Sequence, residues 1–198
     1  MDKVFDMAQE KELTFWEHWS RSVRAHYKDP SDYVRYRFRD TLFERGLTEE
    51  DFRDKCVVEI GPGMFPMVSI LPVLCATVVE PLLPKFDKLL TRAERQLWSG
   101  LEVLEIRGED FRPAIDYDYC ILKNVLDHTT RPQDIVSHIN ARIVLVDSFV
   151  NRREDTTLHP SAFLSSDAIE SLFSGFKCVH HSINEQLHNH YFTFEKNQ

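Results

Sequence analysis

From residue 56 to residue 60 the chain reads Cys-Val-Val-Glu-Ile, a nearly unbroken apolar run that stops at Gly61-Pro62-Gly63. Such a run, closed by glycines, predicts a short strand covered on both faces. Pro66 behind it predicts a helix start, and Pro72 an end or kink in that helix. The alternation then repeats. Strand-like runs cover residues 76–80, 103–107, 119–123 and 142–148, and helix-like stretches cover 83–98 and 133–140. A further helix starts at Ser166-Asp167 and ends near Gly175. Two last strands, over 177–183 and 189–195, flank a short polar turn, which predicts an antiparallel pair. The whole reads as α/β: a seven-stranded, mostly parallel sheet with one antiparallel strand and helices on both faces.

The lead differs from the rest. Phe15, Trp16, Trp19, Val23 and Tyr27 recur at three- and four-residue spacing, the signature of one apolar helix face. Asp29-Pro30-Ser31-Asp32 interrupts it and caps a second helix over 33–45, which Gly46 stops. Residues 1–47 are therefore assigned to an N-terminal helical segment, and 48–198 to the sheet domain. Arg21, Arg24, Lys28, Arg35, Arg37, Arg39 and Arg45 are interleaved with acids, so a solvated helix face is the plainer reading than an anion-binding surface.

Composition narrows the class. A formal net charge of −8 disfavours a dedicated nucleic-acid binder, and 42% apolar residues suffice for a core. There is no apolar run of membrane length and no signal-peptide pattern, and Cys56, Cys75, Cys120 and Cys178 form no C-x-x-C pair. Buried free thiols and a cytoplasmic location are the resulting expectations.

The chemistry-bearing residues fall at predicted strand ends, where open α/β sheets bind ligands. Glu59-x-Gly61-x-Gly63 lets backbone approach a ligand closely, but no third glycine follows and there is no Gly-Lys-Ser/Thr phosphate loop. Glu80, at the end of the second strand, can accept from a ribose diol. Glu109 and Asp110 after the third strand can accept from an adenine amino group, with Phe111 covering the ring. Asn124-Val125-Leu126-Asp127-His128 follows the fourth strand. His180, His181, His188 and His190 lack a cysteine or carboxylate partner, so a polar strand face is favoured over a metal site, and no metal is expected.

Taken together, Glu59-Ile-Gly-Pro-Gly, Val79-Glu80-Pro-Leu, Arg107-Gly-Glu-Asp-Phe and Asn124-Val-Leu-Asp-His resemble the class I S-adenosylmethionine-dependent methyltransferases, over about Lys55 to Glu195. The resemblance implies a Rossmann-like fold with S-adenosyl-L-methionine as cofactor. Gly61 and Gly63 would pack against its methionine part, with Glu59 near the amino group. Glu80 would hold the ribose, Glu109, Asp110 and Phe111 would surround the adenine, and Asn124 would lie near the sulfonium. The N-terminal segment, residues 10–45, would act as a lid. Phe65 stands where a third glycine is common, and Ser137–Ala141 runs into the fifth strand without the usual glycine turn.

The implied activity is methyl transfer to an oxygen or nitrogen of a small-molecule acceptor, with no membrane partner. Candidate bases are His128, Asp127 and His159, since histidine titrates near neutrality. Arg152 and Arg153 could contact an anionic substrate. The alternatives are a methyltransferase for RNA or protein, and a non-catalytic adenosylmethionine-binding or scaffold protein.

Overall fold

The computed structural model describes residues 3–150, 161, 163 and 165–197. Two helices lead, α1 (Lys3–His26) and α2 (Pro30–Phe43). The Asp29 carboxylate caps α2 by accepting from the Ser31 N–H at 2.9 Å, and Pro30 occupies its first turn. The strands are β1 (Cys56–Ile60), β2 (Cys75–Val79), β3 (Glu102–Leu104), β4 (Tyr117–Lys123), β5 (Ala141–Phe149), β6 (Phe176–Asn184) and β7 (Asn189–Lys196). They form one seven-stranded sheet in the order β3-β2-β1-β4-β5-β7-β6. All neighbours among the first five pair in parallel, and β7 runs antiparallel to both β5 and β6.

Strand periodicity sorts the core into two layers. Val58, Ile60, Cys120, Leu122, Val144 and Val146 pack on one face with Ile135, Val136, Ile169 and Phe173. Those last four belong to or adjoin α5 (Pro132–His138) and α6 (Ser166–Leu172). Val57, Ile121 and Leu145 pack on the other face with Phe38 and Leu42 of α2 and with Phe52, Met67 and Leu71. A third cluster joins Trp16, Val23, Tyr33 and Val34 to Met64, Phe65 and Phe86. So α2 is a layer of the sheet rather than part of a cover.

Several local expectations are corrected. The helix expected from Pro66 is a single 3-10 turn, Met67–Ile70. Leu71 is extended, as a residue before proline prefers, so the turn cannot continue. The stretch over 83–98 divides into α3 (Leu83–Phe86) and α4 (Arg92–Gln96). Thr91 is extended and forms a reciprocal capping box with Glu94, which starts a new helix there. Cys56 and Cys75 are joined by a disulfide. They are register partners at the start of adjacent strands, with Cα atoms 4.7 Å apart, inside the normal disulfide range. The expectation of buried free thiols therefore holds for Cys120, while Cys178 is free but only half-buried.

The far edge carries the histidines. His188 lies in the turn before β7 with φ 51°, so it does not share a strand face with His190. His181 Nε2 instead lies 3.0 Å from His190 Nδ1, and the His181 ring stacks on Phe192. Among the described residues no group of ligating side chains could hold a metal, and no helix is long and apolar enough to cross a membrane.

Candidate active site

A cavity lies over the carboxyl ends of β1, β2 and β4. Gly61, Gly63, Glu80, Glu109, Asn124 and His128 line it, with Val125, Thr129 and Arg107. Gly61 and Gly63 both have φ 68°, a left-handed conformation that glycine adopts without strain. A Cβ at Gly61 would meet the Val125 side chain at 2.8 Å, so the turn is also packed to its limit.

Glu80 is buried and is bound by the turn itself. One carboxylate oxygen accepts from Gly63 N–H and the other from Leu82 N–H, each at 2.9 Å. Burial pushes its pKa up to about 7 against the pull of those two N–H groups. Each oxygen retains a second lone-pair direction. Glu109 is buried as well and accepts from the Thr129 hydroxyl. Asn124 follows β4 in a left-handed conformation, φ 52°, and its buried Oδ1 has no hydrogen-bond partner among the described residues. An orphaned acceptor in a cavity wall marks a place for a donor on a ligand.

Other sequence-selected residues lie elsewhere. Glu59 is buried behind the turn, on the α2 side of the sheet, where it accepts from Val68 N–H at 2.9 Å. Burial pushes its pKa up to about 7. It clamps the 3-10 turn and does not line the cavity. Phe111 packs in the core beside Tyr117, at a ring distance of 6.5 Å. Asp110 faces Arg131 at 3.9 Å on the outer side. Asp127 is buried within the 3-10 turn Leu126–His128 after β4 and is not part of the wall. His159, Arg152 and Arg153 lie outside the described residues.

The lid expected over residues 10–45 singled out no residue of α1 as a wall of the site. Ala8, Gln9 and Glu12 form one side of the cavity. Trp16 anchors them: it is 4% exposed, packs on Phe65 and Phe86, and carries the Arg37 guanidinium 5.2 Å above its ring. Arg37 also donates to the Pro62 carbonyl at 3.1 Å. The Trp16 Nε1–H donates to Glu12 Oε1 at 2.6 Å, and Glu12 Oε2 lies 3.3 Å from His128 Nδ1. The Glu12–Trp16 spacing of one helical turn was visible in the sequence, but its partner across the fold was not.

The strand order with β7 inserted antiparallel between β5 and β6, the glycine turn after β1 and the cavity above it decide the fold. It is the fold of the class I S-adenosylmethionine-dependent methyltransferases. The N-methyltransferase NodS from Bradyrhizobium japonicum WM9, in complex with S-adenosyl-L-homocysteine, matches with a TM-score of 0.65 at 13% identity over 100% of both chains. The 1,6-didemethyltoxoflavin-N1-methyltransferase from Burkholderia thailandensis matches with a TM-score of 0.65 at 12% identity, over 100% of this chain and 91% of that one. The 16S rRNA methylase RmtB matches with a TM-score of 0.57 at 12% identity, over 100% of this chain and 76% of that one. In sequence, no family model and no curated protein matches the chain.

In this methyltransferase fold, Phe65 takes the place of a common glycine for a packing reason. Its ring lies 5.9 Å from Trp16 and 4.9 Å from Tyr33, so it ties both leading helices to the glycine turn.

Proposed function

We propose that the protein is an S-adenosylmethionine-dependent methyltransferase acting on an oxygen or nitrogen of a small-molecule acceptor. The observation that carries this reading is the convergence of Gly61, Gly63, Glu80, Glu109 and Asn124 on one cavity at the strand ends. The residues fit the cofactor. Two glycines bare the backbone, the second lone pairs of Glu80 suit a ribose diol, and Glu109 beside Thr129 suits the adenine side. The orphaned Asn124 Oδ1 supplies an acceptor at the methionine end. When bound, the cofactor supplies a methyl group already activated on a sulfonium.

The chain then has to orient, enclose and handle a proton. Orientation comes from the glycine turn and the post-β4 loop, which approach the cavity from adjacent strands. Enclosure comes from α1, whose Ala8, Gln9 and Glu12 face the strand ends. A wall made by the protein's own helix supports a small acceptor over RNA or protein. His128 lines the same cavity and is the residue assigned to proton removal, in preference to Asp127, which does not.

Calorimetry with S-adenosylmethionine and S-adenosylhomocysteine, joined to a methyl-release screen over small hydroxyl and amine compounds, tests the reading. Binding with turnover on a small acceptor is expected. Failure of both ligands to bind would overturn it, and binding with turnover only on RNA or protein would replace the acceptor class.

A further inference from the structure

The reactive side of the cavity has an acid that the sheet does not supply. Glu80 and Glu109 come from strand ends, whereas Glu12 comes from α1 and meets the post-β4 loop from the opposite side. Its side chain is 22% exposed, and its two described partners engage one oxygen each, Trp16 at 2.6 Å and His128 at 3.3 Å. A carboxylate offers about four acceptor directions, so acceptor capacity remains toward the cavity. Burial alone would raise its pKa, but the hydrogen bond and charge of His128, the Trp16 N–H and the Arg37 charge together lower it, so Glu12 stands as an anion. With Glu80, Glu109 and Asn124 engaged by the cofactor in the reading above, Glu12 is the carboxylate of this wall left for the acceptor, and Arg107 in the same wall faces Asp6 at 4.0 Å. Such a wall favours a ligand that donates hydrogen bonds and carries positive charge.

We propose that Glu12 is the acceptor-recognition residue and that the acceptor is a small amine, held by its N–H groups between Glu12 and His128. This rests on the methyltransferase reading above. In the transfer, the bound ammonium first gives one proton to His128, and the lone pair so freed forms the new C–N bond while the C–S bond breaks and its electron pair stays on sulfur. The methylated nitrogen is again an ammonium and keeps its ion pair with the Glu12 carboxylate until the product leaves.

The test uses the full chain saturated with S-adenosylhomocysteine. It is titrated by calorimetry with ethanolamine, putrescine and tyramine, each set against the alcohol and the carboxylate of the same carbon skeleton. At least one amine is expected to bind, with its matched alcohol and acid about tenfold weaker or worse. Glu12→Gln keeps an oxygen for Trp16 but loses the charge. It should weaken the amine on the order of 10- to 100-fold, the scale of one charge-assisted hydrogen bond, and by more than it changes S-adenosylhomocysteine affinity. Glu12→Asp should restore part of the loss and keeps the test open should the Gln variant fold poorly. Glu10→Gln, an exposed charge on the same helix, should change nothing. The proposal is overturned if no amine binds the loaded protein, if alcohols or acids bind as well, or if both Glu12 variants bind the amine like wild type. Failure of S-adenosylhomocysteine itself to bind would instead sink the methyltransferase reading beneath it.

Discussion

A Cβ placed on Gly63 would lie 2.1 Å from Cζ2 of Trp16. The indole of the leading helix therefore rests directly on the bare backbone of the first glycine turn. Gly63→Ala should cost about 2–4 kcal/mol, from the clash and from a left-handed φ together. Chemical denaturation of the single variants and of Gly63→Ala combined with Trp16→Ala checks it. The double variant should be less destabilised than the sum, because the clash disappears with the indole. Strict additivity would show that the contact is not there.

Glu80 gives stability a pH dependence with a definite sign. Its folded pKa is about 7 against an ordinary value of 4.5, so between those limits the folded state holds more protons than the unfolded one. Its contribution is fully present below about pH 4.5 and is lost as pH rises toward 7, by about 3 kcal/mol in order of magnitude. Urea denaturation of wild type and Glu80→Gln from pH 4.5 to 7.5 should show wild type losing ground to the variant across that window. Parallel profiles would refute the shift.

Replacing Glu80 by alanine should do more than remove a ribose contact. It leaves the Gly63 and Leu82 N–H groups without their acceptor. A cost of about 1–3 kcal/mol per buried donor is expected, so thermal stability should fall even without cofactor. An unchanged melting temperature would mean that the carboxylate is dispensable to the turn.

A buried charge cluster locks α2 to the sheet. Asp147 lies 2.7 Å from both Arg45 and Lys123 and also accepts from the Thr41 hydroxyl. Although burial opposes it, Lys123 and Arg45 hold the Asp147 carboxyl down at about 2. Asp147→Ala strands two cations and should destabilise by about 3–5 kcal/mol. The wild-type contribution should persist above pH 3.8 and fade between there and about 2, which acid titration followed by circular dichroism measures.

Asn124→Ala tests the orphaned acceptor. The substitution removes no hydrogen bond that Oδ1 makes among the described residues, so stability should change by only about 1 kcal/mol, from the left-handed backbone. S-adenosylhomocysteine affinity should fall about tenfold. Equal affinity in calorimetry would remove Asn124 from the site.

The sequence carried the strands and their edge. β1 matches its expected bounds at Cys56–Ile60 because every side chain in a doubly covered strand is selected for apolarity, save the acid it must satisfy. Local signals also placed Gly61, Gly63, Glu80, Glu109, Asn124 and His128, since residues at strand ends share an edge whatever the loops do. Helices near the site were less legible. Pro72 ended the segment after Pro66 as expected but left room for only one 3-10 turn, whereas the Thr91 cap overrode a longer apolar pattern.

By itself, then, the sequence determined an α/β sheet with its ligand edge at the first glycine turn. Strand periodicity and glycine geometry are local properties and can be read locally. Only the tertiary structure decided that Glu59 and Phe111 serve the scaffold, that Cys56 meets Cys75, and that Glu12 meets His128. Those outcomes depend on which face a side chain meets after residues far apart in the chain have packed. The Glu12–His128 contact lies one helical turn from Trp16, whose indole rests on the bare backbone at Gly63.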